Sequence, residues 1–248
     1  MNDQNPSAQP GADGGTTGYT WVGAEVVWAE VPVDVDAARQ LLPPGLELDD
    51  PAVATVFVAD YPFTTFGSVY KEAAVLLHCR DAKGPHLHCP WMVVDDDTAL
   101  ILGLEMLGFP KKMAEMTVDV DGDQVTATTS RRDTELIRIE AALTVDEPAP
   151  PALFDRRFVN LFGSIVNGMC LIEVPAAGES FRSCRSGSGK VVLGSSDRDP
   201  LALLAPPTEA TVHHAVLDFA AEGTGAPAVV GSVTDEAYAF TRFFARLM

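Results

Sequence analysis

The chain has 248 residues, 47% of them apolar, with a formal charge of −18. That length can bury one large core. The charge, with no basic stripe to displace counterions, argues against nucleic-acid partners and against anionic membrane surfaces. Four cysteines (Cys79, Cys89, Cys170 and Cys184) are too few for a disulfide framework and are read as reduced, mostly buried thiols.

Residues 1–18 are polar and rich in Gly and Pro, and are expected to form a disordered leader ahead of a single domain over 19–248. They lack the charged start and apolar middle of a secretory signal, and no apolar run is long enough to span a bilayer; the expected location is the cytoplasm. Strands are expected over 24–33, 53–61, 70–79 and 88–95, all rich in Val and aromatics. A hairpin follows over 116–129, with an Asp-Gly turn between alternating apolar residues, and 136–145 continues the meander. Further strands are expected over 168–174, 181–185, 189–195 and 211–219. Helices are expected over 34–43 (Asp start, Pro stop), over 95–108 (acids first, Gly108 last) and over 234–248. The pattern is an α+β chain, mainly β, with an antiparallel sheet curled or closed into a barrel and a few helices.

Several motifs have plain structural readings. "HCRDAKGPHLHC" (78–89) holds enough imidazoles and thiols for a metal, but its spacing fits no common zinc pattern and its ends run into strands; no metal is expected there. "SGSGKVV" (186–192) has Cys184 and Val191 where a phosphate loop needs Gly and Ser/Thr, and reads as a flexible connection between strands. In "VHHAVL" (212–217) one histidine faces each side of a strand. No Gly-x-Ser-x-Gly elbow occurs.

"EMLGFPKKMAEM" (105–116) is harder to dismiss. It spends two of the chain's five lysines side by side between an apolar helix and a Met-rich strand. An amine held among apolar groups loses hydration, which favours its neutral, nucleophilic form; a neighbouring cation acts in the same direction.

The stretch "GLEMLGFPKKMAEM" resembles the lysine motif of the acetoacetate decarboxylase family. The likeness extends through "DVDAARQLLPPGLELDDP", "VYKEAAVLLHC" and "WMVVDDDTALILG", and is clear over residues 20–145. It implies a curled, barrel-like sheet, an oligomer of identical subunits, and a Schiff-base lysine at Lys111 that needs no metal or organic cofactor. Glu72 is then the acid–base partner, with Lys112 and Glu105 in supporting roles. Three charged positions of the family are apolar here: an arginine falls on Ala24, a glutamate on Val56 or Phe57, and another arginine on Leu104. With Tyr70, Met92 and Phe109, these residues define the expected pocket. A greasier pocket suits a larger carbonyl compound, so aldol, dehydration or cyclisation chemistry in secondary metabolism is expected. The alternatives are decarboxylation of a β-keto acid, and a lysine-independent scaffold that binds a hydrophobic ligand or guides a pericyclic reaction.

Overall fold

The computed structural model describes residues 18–164, 166–221 and 227–247. The expected leader therefore lies outside the described residues, apart from Gly18. In chain order the elements are β1 (Thr20–Pro32), α1 (Val35–Leu41), β2 (Glu47–Leu48), β3 (Val53–Tyr61), β4 (Tyr70–Asp81), β5 (Gly84–Val94), α2 (Asp97–Leu107), β6 (Lys111–Met113), β7 (Glu115–Asp121) and β8 (Gln124–Arg131). They continue as β9 (Thr134–Ala142), β10 (Val145–Asp146), β11 (Phe158–Ser164), β12 (Gly168–Val174), β13 (Ala177–Leu193), β14 (Thr208–Ala221), β15 (Ala228–Val233) and α3 (Glu236–Leu247). No helix among the described residues is long and apolar enough to cross a membrane.

One sheet runs β15-β12-β11-β5-β4-β3-β1-β14-β13-β9-β8-β7, with β2, β6 and β10 branching onto β4, β5 and β13. It bends so that β7 and β8 lie against β3 and β4. Among the described residues no pairing joins β7 to β15, so the sheet is curled and not closed. β7 pairs with β8 alone and exposes Glu115, Asp119 and Asp121; charge on an edge strand opposes further pairing. The sheet is also mixed, not antiparallel throughout. β6 runs parallel to β5 because α2 carries the chain back across the sheet, and β11 touches β5 in parallel too.

The largest departure from expectation is β13. The two short strands and flexible "SGSGK" connection form one seventeen-residue strand. Gly187 and Gly189 are there for closeness. A Cβ on Gly187 would sit 1.7 Å from the Ala142 carbonyl oxygen, and one on Gly189 would sit 2.4 Å from that of Glu140. A composition that looks loose in sequence thus lets two backbones approach.

Strand alternation divides most of the interior into two cores, and a smaller third cluster gathers Val159, Leu161, Met169 and Leu171. Val27, Val56, Val58, Val75, Val93, Ile137 and Ile139 pack inside the bend. Phe57, Tyr61, Tyr70, Met92, Leu217 and Phe219 point the other way, toward α2 and the segment around Phe154. This second face carries the cavity described next.

Candidate functional site

Local chemistry brings Lys111 to the second face. Asp96 caps α2 by accepting from the Ala99 N–H at 2.9 Å, and Gly108 ends the helix in the left-handed region at φ 65°. The Gly103 carbonyl accepts the N–H groups of both Gly108 and Phe109. Buried Asn160 ties down the same turn: its Nδ2 donates to the Leu107 carbonyl at 3.1 Å, and its Oδ1 accepts from the Cys89 N–H at 3.3 Å. The chain then passes Pro110 into β6, where Met92 pairs with Lys111 and Val93 with Lys112.

Adjacent residues of a strand face opposite ways, and this resolves the lysine pair. Lys111 enters the cavity beside Met92, and its Nζ lies 2.7 Å from Glu72 Oε2. Both side chains are less than a tenth exposed. Lys112 turns into the other core beside Val93, where its Nζ lies 2.8 Å from Asp199 Oδ1. Asp199 also receives the Trp91 indole N–H at 2.9 Å and Arg131 Nη1 at 2.7 Å. Burial is the strongest influence on Lys112 and pulls its pKa down, although Asp199 opposes the shift. Burial pushes Asp199 up, but bonds from Lys112 and Trp91 and the two cations hold it below the usual carboxylate range. Lys112 is therefore neither a neighbour that tunes Lys111 from within the cavity nor a solvent-facing bystander. It is half of a buried ion pair on the far side of the sheet.

The cavity encloses about 130 Å³ and opens to solvent. Trp21, Tyr61, Tyr70, Phe154, Phe158 and Phe219 form an aromatic wall, and α2 contributes Ala99, Leu102, Gly103, Met106 and Leu107. Lys111 and Glu72 are its only charged lining residues among those described. Tyr61 Oη donates to Glu72 Oε1 at 3.4 Å, and Trp21 Nε1 donates to Tyr70 Oη at 3.0 Å. The Lys111 Nζ also lies 5.3 Å from the centre of the Tyr70 ring, within cation–π range. Burial, followed by the Glu72 charge, pushes both tyrosines well above their ordinary pKa, so both stay protonated as donors.

Gly103 makes room for the lysine. A Cβ there would lie 2.4 Å from Lys111 Cδ and 2.5 Å from Cε. The aliphatic stem crosses the helix where a side chain is missing, and that crossing sets where the amine ends.

The fold thus gathers Lys111, Glu72, Tyr70, Met92 and Phe109 around one cavity. Other expected site residues lie elsewhere. Glu105 is solvent-exposed, on the side of α2 away from the cavity, and Leu104 is half-buried without lining it. Val56 packs in the core inside the bend. Phe57 and Ala24 are on the cavity's face of the sheet but beneath its surface; Phe57 meets Phe154 edge-on at 5.6 Å between ring centres. Tyr61 could have been found by parity, two and four positions after Ala59 and Phe57 on one strand. Trp21, Phe154, Phe158, Phe219 and Asp199 are brought in from distant parts of the chain, with no local signal.

The histidines of the remaining motifs meet polar partners within the fold. His78 Nε2 pairs with Thr55 Oγ1 at 2.8 Å, and His88 Nδ1 meets the Val159 carbonyl oxygen at 2.9 Å. Neither belongs to a group with metal-ligand geometry among the described residues, and nor does His86. His213 and His214 take opposite faces, meeting Glu147 at 2.8 Å and Glu25 at 2.9 Å. All four cysteines are free thiols.

A family model described as "Acetoacetate decarboxylase (ADC)" matches residues 4–227. Among curated proteins, the chain is 32% identical over 97 residues to an acetoacetate decarboxylase of Clostridium acetobutylicum, covering 38% of each chain. It is 33% identical over 96 residues to acetoacetate decarboxylase 2 of Mesorhizobium japonicum, covering 38% of this chain and 36% of that one. The chain thus spans under two fifths of the length of these two relatives. Solved structures align over far more. An acetoacetate decarboxylase structure from Legionella pneumophila superposes with TM-score 0.74 at 17% identity, covering 92% of this chain and 93% of that one. The enduracididine biosynthesis enzyme MppR in complex with pyruvate gives 0.71 at 22%, over 90% and 93%. An acetoacetate decarboxylase-like enzyme from Sphingomonas wittichii gives 0.73 at 20%, over 93% and 100%. At these identities the likeness establishes a shared fold.

Proposed function

The chain belongs to the acetoacetate decarboxylase family, and from that premise we propose that Lys111 forms a Schiff base with a neutral, largely apolar carbonyl substrate. The observation that carries the proposal is the buried Lys111–Glu72 pair, 2.7 Å apart at the wall of an otherwise apolar cavity. Proton transfer from the Lys111 ammonium to the Glu72 carboxylate leaves an amine with a free lone pair. That amine attacks the carbonyl carbon, and one of its two protons passes to the carbonyl oxygen. The resulting hydroxyl departs as water with the proton returned by Glu72, leaving an iminium on Nζ. Glu72, again a carboxylate, then removes a proton from the carbon next to the iminium carbon and gives an enamine. Tyr61 and Tyr70, both protonated, stand beside Glu72 and Lys111 as donors for oxygen atoms that gain charge.

The cavity's charge inventory favours substrates without a carboxylate. A β-keto acid would bring an anion into a space whose lone cation among the described lining residues is the lysine that must react. An unpaired buried carboxylate is costly. We therefore assign the enamine to carbon–carbon bond formation or loss of water, and give decarboxylation second place. A cavity of this volume matches a ligand of about benzene size, with longer substrates extending through the mouth.

The test is reductive trapping. Borohydride with a neutral methyl ketone or 1,3-diketone should add one stable substrate mass, mapped to Lys111 and absent in Lys111→Ala. Acetoacetate runs beside them, with release of carbon dioxide measured. No adduct with any carbonyl compound, or an adduct mapped to another lysine, would overturn the reading. Rapid carbon dioxide release from acetoacetate would reverse the order of the two reactions.

A further inference from the structure

A second cluster of chemically capable side chains lies on the same face of the sheet, apart from the residues that line the cavity. Glu147 follows β10, Cys184 lies on β13 and His213 on β14. One ligand atom from each lies within 4.8 Å of the other two. His213 Nδ1 is 2.8 Å from Glu147 Oε2, and Cys184 Sγ is 3.7 Å from the same oxygen.

We propose that Cys184, His213 and Glu147 form a three-ligand site for a divalent transition metal of the zinc type, with water in a fourth position. Zinc takes thiolate sulfur, imidazole nitrogen and carboxylate oxygen together, and three protein ligands plus water is a common arrangement. Tetrahedral bonds of ordinary length would separate the three donors by about 3.3–3.6 Å. The carboxylate–sulfur distance is already close to this. The imidazole–carboxylate pair must open by about half an ångström, within the reach of small side-chain rotations.

The surroundings hold the ligands in this orientation. The Trp28 ring stacks on His213 with centres 5.0 Å apart, which fixes the imidazole plane. Ser186 Oγ donates to Glu147 Oε1 at 2.8 Å, leaving Oε2 directed at the histidine and the thiol. The Glu147 N–H also donates to the Cys184 carbonyl at 2.9 Å, tying the two ligands through the backbone. Outer-sphere partners of this kind orient metal ligands and tune their affinity. The same geometry disfavours a nucleophilic triad: the thiol is directed at the carboxylate, whereas nucleophilic catalysis by cysteine needs an imidazole to take its proton. On metal binding, the Cys184 proton and any proton shared by His213 and Glu147 pass to solvent, leaving thiolate, neutral imidazole and carboxylate as ligands.

The test uses the full chain, stripped with a chelator and kept reduced by a phosphine. Cobalt(II) is titrated in as the spectroscopic probe and then displaced by zinc. The expected result is one equivalent bound, with a thiolate-to-cobalt charge-transfer band that zinc abolishes. The band should vanish in Cys184→Ser and in His213→Gln, and persist in Cys170→Ser. Ser186→Ala, which keeps all three ligands, should weaken binding by about 10–100-fold. Absence of the band in the wild-type chain at saturating cobalt would overturn the proposal, as would its survival in Cys184→Ser. The wild-type titration decides by itself if a variant does not fold. Neither outcome bears on Lys111.

Discussion

Replacing Gly103 with alanine should separate the lysine's position from the stability of the helix that carries it. The new Cβ would stand 2.4 Å from Lys111 Cδ, whereas carbon atoms rest about 3.5–4.0 Å apart. The stem must therefore move by about 1–1.5 Å. Overpacking of this size costs about 1–3 kcal/mol, while alanine in mid-helix returns about 0.5–1 kcal/mol relative to glycine. The net loss of stability should be at most about 2.5 kcal/mol, and the variant should stay folded by circular dichroism. The amine cannot shift that far and keep its 2.7 Å contact with Glu72. Misplacement of a reacting group by about 1 Å can cost roughly a hundredfold in rate. Borohydride trapping of a neutral ketone should therefore slow by about two orders of magnitude, with only a modest change in the urea midpoint. A variant that traps carbonyl compounds at the wild-type rate would refute the idea that Gly103 positions the lysine.

Other expectations follow from the same contacts. Lys111→Met strands the Glu72 carboxylate in an apolar wall and should destabilise the fold by about 3–5 kcal/mol; adding Glu72→Leu should recover most of that in urea unfolding. Asp199→Asn leaves the buried Lys112 ammonium without its anion and takes one ion-pair partner from Arg131, and a loss of similar size is expected at neutral pH. Because the Asp199 pKa is lowered in the folded state, its contribution is full above the unfolded value of about 3.9 and is lost as pH falls through the folded value. The stability gap between wild type and Asp199→Asn should hold at neutral pH and narrow below about pH 4. Gly187→Ala would place a methyl group 1.7 Å from a backbone oxygen; since backbone gives way less readily than a side chain, little soluble folded protein is expected on expression.

Periodicity and caps were enough to locate most elements. β3 and β12 occupy the expected residues, and α2 lies within the expected 95–108 because Asp96 and Gly108 are strong boundary signals. Sequence patterning anticipates neither β11 nor β15, because the Asn160 and Gly163 positions in β11 and the glycine in β15 break their apolar patterns. Sequence patterning divides β13 in two because glycine is punctuation in sequence, whereas here it permits close backbone approach.

The catalytic candidates Lys111 and Glu72 were legible because one local motif and one strand motif carry them. Most of their aromatic surroundings were not. Chain order says nothing about which of twelve phenylalanines will face a given lysine, and Phe154 and Phe158 come from one segment, Phe219 from another sixty residues on.

The sequence by itself determined that two lysines stand adjacent after Phe109 and Pro110, with a strand expected only from residue 116. The structure puts the pair itself on β6, where strand alternation obliges the two to face opposite ways. Only the tertiary structure decided what each meets. Lys111 finds Glu72 and an aromatic cavity, while Lys112 finds Asp199, eighty-seven positions further along the chain. The physical reason is that burying an ammonium requires a nearby carboxylate, and where that carboxylate comes from is set by how the sheet bends.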